Sequence, residues 1–433
     1  MNRITAPVIL LFALAAAQAR ADLAFQRWQT PDGATVVLVE RHRLPIVNVS
    51  VTFKGAGQAG EGEKGAAGFT AAMLDSGSEK YGENELRDEA NRLGVEIGAS
   101  AGAENAAVSF AALSRPQTLS DGLKLANQII AHPVFDPAVL EREKGQAATA
   151  LRQNLSSPAF TAARELTRLS YGSHPYANDA RLEEADIRAI STDTLKRHHR
   201  SRYAKNNAYI AIVGDATRAQ AGQIAAALLD GLPEKAAAPN IPPAPEPAGR
   251  SENRPFSGKE QAAVALGLPF AERQSPYRHA LAVGNYILGG GGFDSRLMKT
   301  LRDEKGLVYG VSSHYTPLTR KGPFAVSFTT KKSGAQAALA AARQVIADFV
   351  ANGPTEAELR QAKDNITGSF PLSHDTNAKT VGFAANIAVN NLPLDYYDRY
   401  TQQIEAVTAE QVKAAWQRRL DPQKLNAVTV GAQ

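Results

Sequence analysis

The chain has 433 residues, 48 Lys and Arg against 43 Asp and Glu, a formal net charge of +5, and no cysteine. That length exceeds what one hydrophobic core organises, so two or more domains are expected. The near-balanced, dispersed charge speaks against nucleic acid as a partner, and the lack of cysteine excludes disulfides, thiolate nucleophiles and cysteine-based zinc or iron–sulfur sites.

The first residues, Met1 to Ala21, carry a basic Arg3, an apolar run from Val8 to Ala17 and a small-x-small site at Ala19, Arg20 and Ala21. This is the pattern of a secretory signal cleaved before Asp22, and it predicts an exported, periplasmic protein. The apolar run is short for a membrane span, and no later stretch approaches about 18 apolar residues. An uncleaved anchor is the alternative.

Strand-like runs follow at 34–40, 47–53 and 106–113, where β-branched residues alternate or cluster. The acids Glu83, Glu85, Asp88 and Glu89 suit the start of a helix, where negative charge is favoured. From Leu119 to Leu151 an apolar helical period (Leu123, Ala126, Ile129, Ile130) runs into a break at Pro137 and then a charged helix. His174, in G-S-H-P-Y, marks a turn. Ser191 opens a helix, a polar turn, a β-rich run and a closing Gly214. Within that helix His198 and His199 point about 100° apart and cannot share one ion; with Lys196, Arg197 and Arg200 they are expected to form a solvated basic end.

Closely spaced prolines between 233 and 255 predict an extended linker. Beyond it the pattern repeats. Strand-like runs lie at 261–268 and 324–330, and 335–366 again reads as helix, turn at Pro354, helix. Thr408, paired with Gln411 in a capping box, opens a second copy of helix, turn, β-run and closing Gly431. A signal at 1–21, halves at 22–232 and 256–433 and a linker at 233–255 therefore describe the chain. Each half should be an α+β unit, a mostly antiparallel sheet with helices packed on one face.

Four consecutive glycines, Gly289, Gly290, Gly291 and Gly292, can bring backbone N–H groups close to a ligand. The G-K-[ST] of a phosphate loop does not follow them. By itself the run reads as a flexible loop entering a helix capped by Asp294 or Ser295. Arg302 and Tyr309 downstream, taken alone, read as a solvated helix charge and a half-buried aromatic.

Two strings change that reading. Gly65 to Tyr81, G-A-A-G-F-T-A-A-M-L-D-S-G-S-E-K-Y, and L-R-D-E-K-G-L-V-Y, Leu301 to Tyr309, resemble segments of the pitrilysin-type (insulinase, processing peptidase) family of zinc peptidases. Its inverted motif H-x-x-E-H supplies two zinc ligands and a general base from one helix. Here those positions hold Gly68, Ala71 and Ala72. The third ligand of the family, a Glu on a second helix, falls at Ala150, or at Thr149 if the register slips by one. Only Glu143 matches a carboxylate that the family keeps behind the metal.

Glycine and alanine offer no lone pair to a metal, so the resemblance implies the fold of a peptidase subunit with no metal of its own. It further implies a homologous partner that carries H-x-x-E-H and the zinc, together with which this chain would close a clam-shell chamber around a peptide. Arg302 and Tyr309 match the family's substrate-gripping pair, with Gly289 to Gly292 and Arg296 as candidate substrate-binding residues. The expectation is a non-catalytic subunit of an exported heterodimeric zinc endopeptidase. A catalytically dead peptide-binding or scaffold protein of the envelope is the alternative.

Overall fold

The computed structural model describes residues 23–258 and 260–432; the expected signal segment at 1–21 lies outside the described residues. Among these, eleven strands form two sheets. The first contains β1 (Phe25–Gln29), β2 (Thr35–Glu40), β3 (Ile46–Lys54), β4 (Glu96–Ala101), β5 (Asn105–Leu113) and β6 (Ala208–Gly214), in the order β1-β2-β6-β3-β5-β4. Every neighbouring pair is antiparallel except β2 and β6.

The second sheet contains β7 (Ser251–Arg254), β8 (Gln261–Ala271), β9 (Val308–Tyr315), β10 (Gly322–Lys331) and β11 (Asn426–Val430), in the order β7-β11-β8-β10-β9. Again one pair, β7 with β11, is parallel. The fold is therefore the expected mixture of two sheets with helices. One boundary differs: β7 lies inside the stretch expected to be linker. Its sequence, S-E-N-R, has no strand character of its own, and its pairing is supplied by the fully buried β11.

Alternation along the strands sorts the side chains onto two faces. Val36 and Leu38 of β2, Val49 and Val51 of β3 and Val108 and Phe110 of β5 join the core with the helices Pro116–Ala131 and Arg218–Leu229 of the same half. In the second half Leu266, Leu268 and Phe270 pack under the helices Ala335–Asn352 and Ala409–Arg419. Trp416 is wholly buried there, 5.1–5.6 Å from the rings of Phe270, Phe324 and Phe349.

The opposite faces are covered by exchange between the halves. Val37, Val39, Ala211 and Val213 of the first sheet meet Ala384, Ile387 and Ala388 of the helix Asn377–Asn390. Ala263, Ala265, Val428 and Val430 of the second sheet meet Ala162, Leu166 and Leu169 of the helix Pro158–Tyr171. Burial on both faces explains the unbroken apolar runs in β2 and β8. Each half thus keeps its own helices on one face and lends a helix to the other.

Polar contacts lock this exchange. Glu104 is 6 % exposed; its carboxylate accepts from the Tyr176 hydroxyl at 2.6 Å and from the Thr319 backbone N–H at 2.8 Å, and pairs with Arg273 at 2.8 Å. Burial alone would raise the Glu104 carboxyl, but the Tyr176 hydroxyl and the Arg273 guanidinium outweigh it and hold it below the usual carboxylate range. The proline-rich connection is docked against both halves, with Pro242 and Ile241 carbonyls taken by His174 at 2.9 Å and Arg320 at 3.0 Å. His174 is buried in its turn, where its other ring nitrogen accepts from the Tyr176 N–H.

His198 and His199 are not the solvated basic end that their neighbours suggest. Both are buried in the helix Thr192–Arg202, where each Nε2–H donates to a carbonyl, of Ala56 at 3.1 Å and of Ile130 at 2.8 Å. Burial lowers the His198 imidazole to about 4. Because the folded state binds this proton less readily than the unfolded chain, stability is full above the ordinary His range and falls as pH drops from about 6.5 towards 4. Urea midpoints measured across that window should decline, and His198→Gln, which keeps a donor towards Ala56, should flatten the decline.

Candidate functional site

The degenerate motif occupies the helix Ala66–Ala72. Gly65 enters it in the left-handed region, at φ 88°, and the Glu61 carboxylate accepts from the Ala67 N–H at 3.0 Å, an acid placed at a helix start where the dipole favours it. Phe69 and Thr70 turn into the core. Gly68 and Ala72 face outward, Ala71 is 3 % exposed, and a Cβ placed on Gly68 would meet nothing within 4 Å.

Ala150 and Thr149 are exposed on the helix Pro137–Leu155, and the Thr149 hydroxyl donates back to the Gly145 carbonyl. Glu143 on the same helix is bonded to Arg142 at 2.9 Å, and Arg142 also holds Glu83 at 2.7 Å. Glu143 is thus part of a guanidinium-bridged surface pair. Among the described residues no group of three or more His, Cys, Asp or Glu side chains could hold a metal ion. Zinc does not fit the residues present: Gly68, Ala71, Ala72 and Ala150 carry no side-chain donor for a metal.

The second cluster is built around two π-helical turns, a form that recurs at functional sites. The helix Arg278–Asn285 runs on as a π turn, Tyr286–Gly290, and a short helix beginning at Arg296 runs on as another, Lys299–Glu304. Gly306, at φ +60°, reverses the chain into β9, and the Leu307 N–H donates to the Leu301 carbonyl at 2.8 Å. This reversal brings Arg302 and Tyr309 together.

The Arg302 guanidinium carbon is 5.5 Å from the centre of the Tyr309 ring and 4.7 Å from that of Phe293. Tyr309 is 88 % exposed and Phe293 is 68 % exposed. Arg302 is half-buried and, among the described residues, makes no ion pair. Phe293 was not singled out from the sequence, where an aromatic after a glycine run carries no signal; its exposure beside Arg302 identifies it.

The glycines do not form the flexible loop that their composition suggests. A Cβ on Gly289 would lie 2.7 Å from the Ser313 backbone nitrogen, and Cβ atoms on Gly290 and Gly291 would press at 2.7 Å on Asn285 and Tyr286. Backbone contacts therefore require glycine at Gly289 and Gly291, and Gly292, at φ +64°, requires glycine for its backbone. Gly289, Gly290 and Gly292 line a groove of about 520 Å³ with Phe293, Met298 and residues 310–314 of β9. Neither Asp294 nor Ser295 caps the next helix through its side chain; the Ser295 hydroxyl donates to the Gly292 carbonyl at 2.7 Å.

Arg296 is not available to a substrate. Its guanidinium forms a two-pronged pair with Glu358, both bonds 2.7 Å, and donates to the Gly353 carbonyl at 2.9 Å. It clamps the glycine segment to the helix hairpin of the second half. Burial would raise the Glu358 carboxyl, but the Arg296 and Thr355 bonds hold it down to about 2. The pair's stabilisation is therefore present above the ordinary carboxylate range and is lost as pH falls from about 4.5 towards 2. Arg296→Ala should cost about 2 kcal/mol of stability at neutral pH, read from urea unfolding, and less at low pH.

The chain belongs to peptidase family M16. Residues 35–180 match the description "Insulinase (Peptidase family M16)" and residues 189–366 match "Peptidase M16 inactive domain". A solved peptidase M16 inactive domain from Pseudomonas fluorescens is similar at 33 % identity and a TM-score of 0.91, over 95 % of this chain and 98 % of that one. A Helicobacter pylori protein named non-peptidase homolog YmxG is 24 % identical over 87 % of each chain. The fold is shared with a solved Helicobacter pylori protease at 19 % identity and a TM-score of 0.84, over 94 % of this chain and 99 % of that one.

Proposed function

We propose that this chain is the non-catalytic, substrate-holding subunit of an exported heterodimeric zinc endopeptidase. A homologous partner bearing H-x-x-E-H holds the zinc, and Arg302 and Tyr309 face that site across the chamber. The observation that carries this reading is the pair itself. A solvent-exposed Tyr beside an Arg that has no ion pair among the described residues, at the end of a π-helical turn, contributes little to packing. A guanidinium can grip a peptide carbonyl or carboxylate through two donors, and a phenol can donate to a carbonyl oxygen as charge develops on it.

The donorless positions at Gly68, Ala71, Ala72 and Ala150 support the other half of the reading, that hydrolysis is supplied from elsewhere. Export rests on the pattern at Met1 to Ala21. The test is reconstitution: the full chain is combined with an H-x-x-E-H homologue from the same organism, and cleavage of a quenched fluorescent peptide is followed. Cleavage much faster than by the homologue alone supports the assignment. Equal rates overturn it and leave a peptide-binding or scaffold role.

A further inference from the structure

A larger cavity than the glycine-lined groove lies where the two halves meet on the outer face of the first sheet. The helix Asn377–Asn390 covers that face over β2, β6 and β3. Beside it, over the end of β3 and β5, a cleft of about 1240 Å³ remains, floored by Asn48 and Ala111. One wall is the turn Arg41–Leu44 between β2 and β3, and the other is the segment Phe370–Ala378 with Tyr397.

Arg41 is the unusual group in it. Its side chain is half-buried, and among the described residues it has neither a carboxylate partner nor a hydrogen-bond acceptor. Arginines placed so are ordinarily paired, because a partly desolvated charge without a partner costs free energy. Arg43 lines the cleft as a second positive charge, and His374, its imidazole pushed down by burial and then by the neighbouring Arg41, adds none at neutral pH. His42 is already engaged by Asp215 at 2.7 Å. Of the acids on the lining, Asp375 is spent on Lys379 at 2.9 Å, while Glu96 and Asp398 lie on the same lining.

The rest of the lining says what carries the anion. Leu44, Phe370 and Tyr397 are apolar, while Asn48 and Asn377 offer amides that can bond a peptide backbone. A fatty acyl chain would leave those amides unsatisfied. The volume also exceeds that of ordinary small-molecule sites, about 300–1,000 Å³, and suits several residues of extended chain.

We propose that this cleft receives the C-terminal end of a peptide, its carboxylate on Arg41 and its apolar side chains against Phe370 and Tyr397. The site is built from both halves of this chain, does not include Arg302 or Tyr309, and needs no partner subunit, so it stands or falls separately from the endopeptidase assignment. The test measures binding of a hexapeptide ending in two leucines to the full chain by calorimetry, beside the same peptide with an amidated C-terminus and beside decanoate.

The free acid should bind at least about tenfold more tightly than the amide, as a charge-assisted bond implies. Arg41→Gln should erase that preference, with its thermal midpoint confirming an intact fold. Equal binding of acid and amide by the unaltered chain overturns the proposal without reference to any variant. Retention of the preference in Arg41→Gln overturns it as well, and so does binding of decanoate with no binding of the peptide.

Discussion

Arg302→Ala is expected to lower peptide hydrolysis by the reconstituted complex about 100-fold, and Tyr309→Phe by a similar factor, as loss of one preorganised donor to a developing oxyanion does. The structure makes both effects separable from folding. Among the described residues the Arg302 side chain makes no ion pair and lies against the rings of Phe293 and Tyr309, and Tyr309 is 88 % exposed. Removing the hydroxyl from an exposed phenol disturbs no core contact, so the unfolding midpoint of Tyr309→Phe should match that of the unaltered chain.

If the pair acts only on developing charge, kcat should fall and KM should change little. If it holds the ground-state peptide, KM should rise instead. Unchanged rates in both variants would remove the pair from the reaction.

Glu104→Ala should destabilise the chain by about 3–5 kcal/mol, the cost of breaking a buried ion pair by removing one partner. The carboxylate joins Tyr176 of the first half to Thr319 and Arg273 of the second, and its removal strands the Arg273 charge and the Thr319 N–H in the interface. Because each sheet depends on a helix lent by the other half, loss of this latch should be felt in both sheets at once. Urea unfolding followed by near-ultraviolet signals should show one transition moved to lower denaturant. A shift confined to a minor early transition would mean that the halves are stable apart.

Much of this architecture was legible in the residues. Alternation marked β3, β5 and β10, and unbroken apolar runs marked β2 and β8, which are buried on both faces. The duplication was legible because both copies of the closing unit keep an N-cap, Ser191 accepting from Thr194 and Thr408 in a reciprocal box with Gln411. The missed strands lack a clear apolar alternation: β1 is mixed, F-Q-R-W-Q, β4 carries Gly98 and Ser100, β9 turns Tyr309, Ser312 and His314 to solvent, and the polar β7 takes its pairing from the distant β11.

The exchanged helices were not legible at all, since an amphipathic stripe does not say which sheet it covers. In the site, the spacing of Arg302 and Tyr309 was readable, whereas the fate of Arg296 depended on Glu358, sixty-two residues away. Basic neighbours misdirected the reading of His198 and His199, because the carbonyls of Ala56 and Ile130 that hold them are remote in sequence.

The central claim is that Gly68, Ala71, Ala72 and Ala150 leave this polypeptide without a metal site of its own. Elemental analysis of the purified full chain, after dialysis against buffer containing excess zinc and then zinc-free buffer, tests it most directly. The account predicts well under about 0.1 zinc per chain, since among the described residues no group of three or more His, Cys, Asp or Glu side chains could hold a metal ion. Zinc retained at one per chain, together with peptide cleavage by the chain alone, would contradict it.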